Sequence, residues 1–209
     1  MINLVPKRRP PQLPQIKELR FWRTNNTPVW LHSARPAKKR KQRGQVMFRI
    51  GKEEIDEVAK VIMSKQLFRS GDPEEGHLQE VERFEKELAQ KIGTNYALCV
   101  SGGGTAALLC CLVGLGIGPG DEVLVSGYTF MASAVAILAA GAIPVIVEID
   151  ESLGVDPDDV ELKIGPNTRA IMPVHMVGRP SDMDRICEIA RKHNLKIVED
   201  ACLADGGNY

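Results

Sequence analysis

The chain has 209 residues, is 44% hydrophobic and 26% charged, and carries no formal net charge, which suits one ordinary globular α/β core. Its five cysteines are odd in number and lack metal-ligand spacing, which argues against a disulfide scaffold or a zinc site and for a reducing cytoplasm. The neutral total conceals a split: residues 1–50 hold 13 Lys/Arg and one acid, Glu18, leaving 14 bases and 26 acids for residues 51–209.

Two segments so unlike in charge are expected to differ in physical role. Residues 1–49 contain Pro10-Pro11, Arg35-Pro36 and the run Lys38-Lys39-Arg40-Lys41, without a periodic apolar pattern. Few apolar groups and high net charge predict a disordered basic leader, because too little surface can be buried to offset chain entropy. A basic arm can bind nucleic acid, but no aromatic-interleaved module accompanies this one, so that partner is disfavoured. The leader has no continuous apolar stretch of the secretory kind.

From Lys52 the texture changes. Ile55, Val58, Val61 and Ile62 predict a helix over 54–67, and Arg69 to Pro73 a loop. Leu78, Val81, Phe84, Leu88 and Ile92 predict a second helix ending at Gly93. Strands are then expected at 96–100, 122–125, 144–149, 169–174 and 196–198. Between them, helices are expected at 105–115, 131–140, 157–164 and 181–193, with Asp156 and Ser181 as N-caps. Continuous Val/Ile-rich strands alternating with helices predict a three-layer α/β fold: a parallel sheet covered on both faces. Turn formers break the uncharged stretches 96–120 and 131–147, so each reads as buried helix plus strand and not as a membrane span. Four of the cysteines (Cys99, Cys110, Cys111, Cys187, Cys202) lie in apolar patterns and are expected to be small buried hydrophobes.

In such a sheet, chemistry collects where strands end and helices begin. Ser101-Gly102-Gly103-Gly104-Thr105 joins a predicted strand to a helix. Glycines admit close approach of a ligand, and the helix start offers free N–H groups to a phosphate. The spacing Gly102-x-Gly104-x-x-Ala107 also satisfies a relaxed dinucleotide fingerprint. That alternative needs an acid at the exit of the next strand, whereas Asp121 and Glu122 precede it. Tyr128 and Phe130 at that exit could stack on a planar ring or cap the core, and His175 is equally open. Asp200, at the exit of the last predicted strand, could keep a pyridine nitrogen protonated or cap a helix.

An ordered string of motifs carries a resemblance: Gly71, Phe84-Glu85, Ser101 with Gly104-Thr105-Ala106-Ala107-Leu108, the run Leu115 to Val123, Tyr128-Thr129-Phe130, Gly141-Ala142, Pro173-Val174-His175 and Glu199-Asp200-Ala201. From about Ile50 to Tyr209 the chain resembles the DegT/DnrJ/EryC1/StrS family of pyridoxal-phosphate-dependent sugar aminotransferases of fold type I. The resemblance implies pyridoxal 5′-phosphate as cofactor, with Gly104, Thr105 and Ala106 at its phosphate. Phe130 is then stacked on its ring, Asp200 paired with its ring nitrogen, and Leu203 near its phenolic oxygen. It further implies a nucleotide-linked keto-sugar substrate, glutamate as amino donor, a homodimer, and no membrane.

Three departures accompany it. The glycine segment is one residue longer than the family's usual form. Leu203 stands where the family has Gln or His and cannot hydrogen-bond. The family's Schiff-base lysine lies downstream of Glu-Asp-Ala, and no lysine follows Lys196. Residues 50–209 are therefore expected to form part of a fold type I large domain, truncated before that lysine and inactive alone. The alternatives are a non-catalytic assembly partner of a full-length homologue and an NAD-binding oxidoreductase domain. Aminotransferase and the related dehydratase activities stay undivided.

Overall fold

The computed structural model describes residues 50–207, so the expected disorder of the 1–49 leader lies outside the described residues, as do 208–209. The chain divides into two units between Glu53 and Glu54, and the core described here belongs to the second. The α-helices and strands of the described residues run α1 (Lys52–Ser64), α2 (Glu80–Ile92), α3 (Gly103–Gly114), β1 (Glu122–Ser126), α4 (Ala132–Ala139), β2 (Ile143–Val147), α5 (Pro157–Leu162), β3 (Thr168–Met172), α6 (Met183–His193) and β4 (Lys196–Ile197).

The sheet is parallel with order β2-β1-β3-β4. Side chains alternate across a strand, and β1 and β3 each feed two cores. Val123, Val125, Ala170 and Met172 pack under Leu108 and Leu112 of α3 and Ala136 and Ile137 of α4. Leu124, Val147 and Ile171 pack on Val160 of α5 and Ile186, Ile189 and Ala190 of α6. Each fully buried Leu or Ile contributes roughly 1.5–3 kcal/mol. The three-layer α/β architecture is thus as the sequence predicts.

Local signals act as the sequence suggests at several ends. Gly93 closes α2 at φ 82°, a left-handed conformation that glycine adopts without strain. The Asp156 side chain accepts from Asp158 N, and Pro157 opens α5. No described helix is long and apolar enough to cross a membrane.

Three expectations are corrected. Residues 96–100 form no strand, and Leu98 is 70% exposed. Apolar pattern alone does not make a strand when no neighbour completes its ladder, and none of the described strands lies beside it. The described sheet therefore has four strands, not five. Asp182 caps α6 by accepting from Arg185 N, whereas Ser181 is fully buried, its hydroxyl donating to Val174 O and its N–H to His175 Nδ1. The cysteines are free; Cys99, Cys110, Cys111 and Cys202 are exposed and Cys187 half-buried. Along α1 and α2 the periodic apolar residues Ile55, Val58, Ile62 and Phe84 are likewise exposed, since neither helix buries a residue among the described ones.

The outer edge of β2 is partly blocked. Ile143 N–H bonds inward to Asp121 O, and Val147 O accepts from Gly127 N on the same side. Pro144 and Ile146, of opposite parity, therefore face out. Pro144 has no N–H to offer, and the Ile146 carbonyl accepts from Lys163 Nζ at 2.9 Å.

Candidate functional site

The carboxyl ends of the strands and the start of α3 converge on one rim. α3 begins at Gly103, two residues before its expected start, with Gly102 as N-cap and no side-chain capping bond. The first-turn N–H groups thus lack a side-chain acceptor, and the helix dipole adds partial positive charge there. Each glycine of the triplet has its own reason. Gly102 and Gly103 adopt φ of +100° and +69°, while a Cβ on Gly104 would lie 2.6 Å from Cys202 Sγ. That contact brings the glycine turn against the segment after β4. Thr105 and Ala106 follow in the first turn of α3, Thr105 exposed and Ala106 half-buried.

Asp200 is buried, 6% exposed. Its backbone continues the line of β4: Asp200 N donates to Pro173 O at 2.9 Å and His175 N to Asp200 O at 3.1 Å. Its carboxylate accepts from Ser133 Oγ at 2.7 Å and from Cys202 N at 3.2 Å. The Cys202 thiol also donates to Asp200. That bond, with burial and the negative charges of Asp200 and Asp205, pushes the thiol up to about 11. Among the described residues no cation pairs with Asp200, because the adjacent His175 turns its Nε2 to Glu199 at 3.0 Å. His175 Nδ1 accepts from Ser181 N, so Nε2 carries the proton and donates to Glu199. His175 is therefore occupied within the scaffold.

Phe130 stands at the exit of β1 with 71% of its surface exposed, Tyr128 beside it. The loop is tied to Asp200, since Ser133 lies within reach of Thr129 and of Phe130 O. Leu203 is exposed on the same segment as Asp200 and Cys202, with its carbonyl near Gly178. The rim thus brings Gly104, Phe130 and Asp200 into one connected neighbourhood. Ser133 and Cys202 were not singled out from the sequence. A lone hydroxyl in the otherwise apolar α4 was the available signal for Ser133, because a buried hydroxyl requires a partner.

Pyridoxal phosphate pairs a phosphate with a ring nitrogen that can be protonated. The residues present fit both ends: an uncapped helix start for the anion, and a buried carboxylate without a counter-cation for the nitrogen. A dinucleotide fits less well. Asp121 sits at the entry of β1, where it bonds Arg169 and Gly118 N, at the sheet edge opposite the glycine turn. No cluster of three metal-ligating side chains occurs among the described residues.

The DegT/DnrJ/EryC1/StrS aminotransferase family model matches residues 49–209. The spore coat polysaccharide biosynthesis protein SpsC of Bacillus subtilis (strain 168) is 42% identical over 156 residues, 74% of this chain and 38% of that protein. The dTDP-3-amino-3,4,6-trideoxy-alpha-D-glucose transaminase of Streptomyces venezuelae is 50% identical over 131 residues, 62% of this chain and 34% of that one. Among solved structures, Ntda from Bacillus subtilis with bound cofactor PMP aligns at 36% identity and TM-score 0.63, covering 73% of this chain and 35% of that chain. The chain spans well under half the length of these relatives. With the profile covering most of its length and the sheet order in place, this chain belongs to the DegT/DnrJ/EryC1/StrS aminotransferase family.

Proposed function

We propose that the whole protein is a pyridoxal 5′-phosphate-dependent aminotransferase moving an amino group from glutamate onto a nucleotide-linked keto-sugar. The product class is an amino-sugar for polysaccharide or related synthesis, and the enzyme works as a cytoplasmic homodimer. One observation carries this reading: the uncapped start of α3 and the uncountered carboxylate of Asp200 meet at one rim, in contact through Gly104 and Cys202. In this reading residues 50–209 are the cofactor-binding part of the large domain, and residues 1–49 are a separate leader.

When bound, the cofactor supplies an electron sink for the group being moved. This chain's residues hold it. The first-turn N–H groups of Gly104, Thr105 and Ala106 take the phosphate, and the exposed Phe130 offers its face to the ring. Asp200 keeps the proton on the ring nitrogen, because a neighbouring negative charge favours the charged form. Leu203 stands on the side of the phenolic oxygen and donates no bond to it. The Schiff-base lysine of the family is not among the 209 residues, so the 209-residue polypeptide binds cofactor but does not turn over by itself.

Titrating that polypeptide with pyridoxal phosphate, followed by cofactor fluorescence, tests the reading. Asp200→Ala is expected to weaken binding by about tenfold or more, the worth of a hydrogen bond to a charged group. Equal affinity in the variant sinks the assignment. Adding glutamate and a keto-sugar nucleotide tests the lysine: turnover without a partner chain contradicts it. The exposed apolar residues Ile55, Val58, Ile62 and Phe84 on α1 and α2 favour a second reading, assembly with a full-length homologue. Failure to co-purify with such a homologue counts against that one.

A further inference from the structure

Ser133 is fully buried and is the one polar residue of α4. Its Oγ lies 2.7 Å from Asp200 Oδ2 and 3.3 Å from Phe130 O. A serine hydroxyl has one proton, and the shorter bond to the charged acceptor takes it. Thr129 Oγ1 also sits 2.7 Å from Ser133 Oγ, closer than its other acceptor, Phe130 O at 3.1 Å. Since the serine proton is committed to Asp200, Thr129 must be the donor in that pair. The three groups form a directed series, Thr129 to Ser133 to Asp200, and hydrogen bonds in series polarise one another in the same sense.

This series joins elements 67 residues apart in the sequence. The Asp200 backbone is already held by Pro173 O and His175 N, and its other carboxylate oxygen by Cys202 N. Ser133 on Oδ2, with Cys202 N on Oδ1, therefore fixes what the strand backbone leaves free, the rotation of the carboxylate, and Ser133 makes the shorter of the two bonds. It also supplies a donor that favours the ionised acid. Through Thr129 it locks the loop that carries Phe130 to the same group.

We propose that Ser133, backed by Thr129, is a positioning residue: it holds the Asp200 carboxylate turned and charged for a protonated heteroaromatic nitrogen. The proposal rests on the cofactor reading above and deepens it. Neither residue touches the cofactor in this account, and both act through Asp200.

The test uses the full chain and two probes, pyridoxamine 5′-phosphate and its 1-deaza analogue, in which the ring nitrogen is replaced by carbon. Wild type is expected to prefer the nitrogen compound by about tenfold. Ser133→Ala is expected to lose about fivefold affinity for the nitrogen compound and to leave the deaza affinity within about twofold. Thr129→Val, at a partly exposed position where folding is not at risk, is expected to give a smaller loss of the same selective kind. If both variants keep the wild-type preference, or weaken both probes equally, the positioning role is overturned while the cofactor reading stands. If wild type binds both probes alike, or neither, the pairing of Asp200 with a ring nitrogen falls and takes this proposal with it.

Discussion

A methyl group added to Gly104 would lie 2.6 Å from Cys202 Sγ, and the Cys202 Cβ stands 4.0 Å away. The glycine turn and the thiol two residues beyond Asp200 therefore fill each other's space. In Gly104→Ala the sulfur must rotate away and give up its bond to Asp200. The expected destabilisation is about 1–2 kcal/mol. Adding Cys202→Ala removes the sulfur and is expected to recover most of it. Denaturant melts of the four-member cycle decide, and equal losses in both backgrounds refute the contact.

The Cys202 thiol, held protonated chiefly by its bond to the Asp200 carboxylate, reaches about 11 from a usual 9.0. At pH 8 its alkylation by iodoacetamide is expected to run about 100-fold slower than that of an unperturbed cysteine. Asp200→Asn removes the negative charge and is expected to restore most of the rate at Cys202, read by peptide mass mapping. The sign for folding follows from the raised value. Below pH 9 the thiol's stabilising bond is fully present, and it is lost as pH climbs through about 11.

Leu112 is fully buried between α3 and the sheet, whereas Leu98 is largely exposed. Leu112→Ala is expected to cost about 2–5 kcal/mol through lost transfer energy and the cavity left behind. Leu98→Ala is expected to change stability by about 0.5 kcal/mol or less. Thermal melts of the two variants measure whether segment 96–100 stands outside the core of these 209 residues.

Asp159 accepts from Lys163 at 2.8 Å and from Glu148 N at 2.7 Å, and these bonds, the lysine's first, hold its carboxyl below the usual 3.8. The depressed value means its stabilisation is present above about pH 4 and is lost as pH falls through the folded value. Asp159→Ala is expected to cost about 1 kcal/mol at pH 7. The difference from wild type shrinks toward pH 2, and a gap that stays constant across this range removes the ionised carboxylate as its cause.

The layers of the fold were legible because continuous Val/Ile-rich runs and capped period-3.6 runs report local geometry. Gly93, Asp156 and Pro157 mark helix ends through their own backbone preferences. Segment 96–100 misled because its Val and Cys content describes a side-chain preference, while a strand also needs a neighbour that lies far off in sequence. Ser181 misled because two consecutive cap formers competed, and the buried one was drawn to Val174 and His175. At the rim, Gly104, Phe130 and Asp200 could be named from the motifs they sit in. Ser133 and Cys202 could not, because their roles come from contacts made only after α3, α4 and β4 are brought together.

The partly blocked flank of β2 has a bearing on self-association. With Pro144 lacking a donor and the Ile146 acceptor engaged by Lys163, a foreign strand meets a ladder interrupted at both residues. A ribbon of repeating copies needs two sticky margins per molecule. The flank of β2 is a poor margin for this purpose, which disfavours edge-to-edge pairing running on into a fibre.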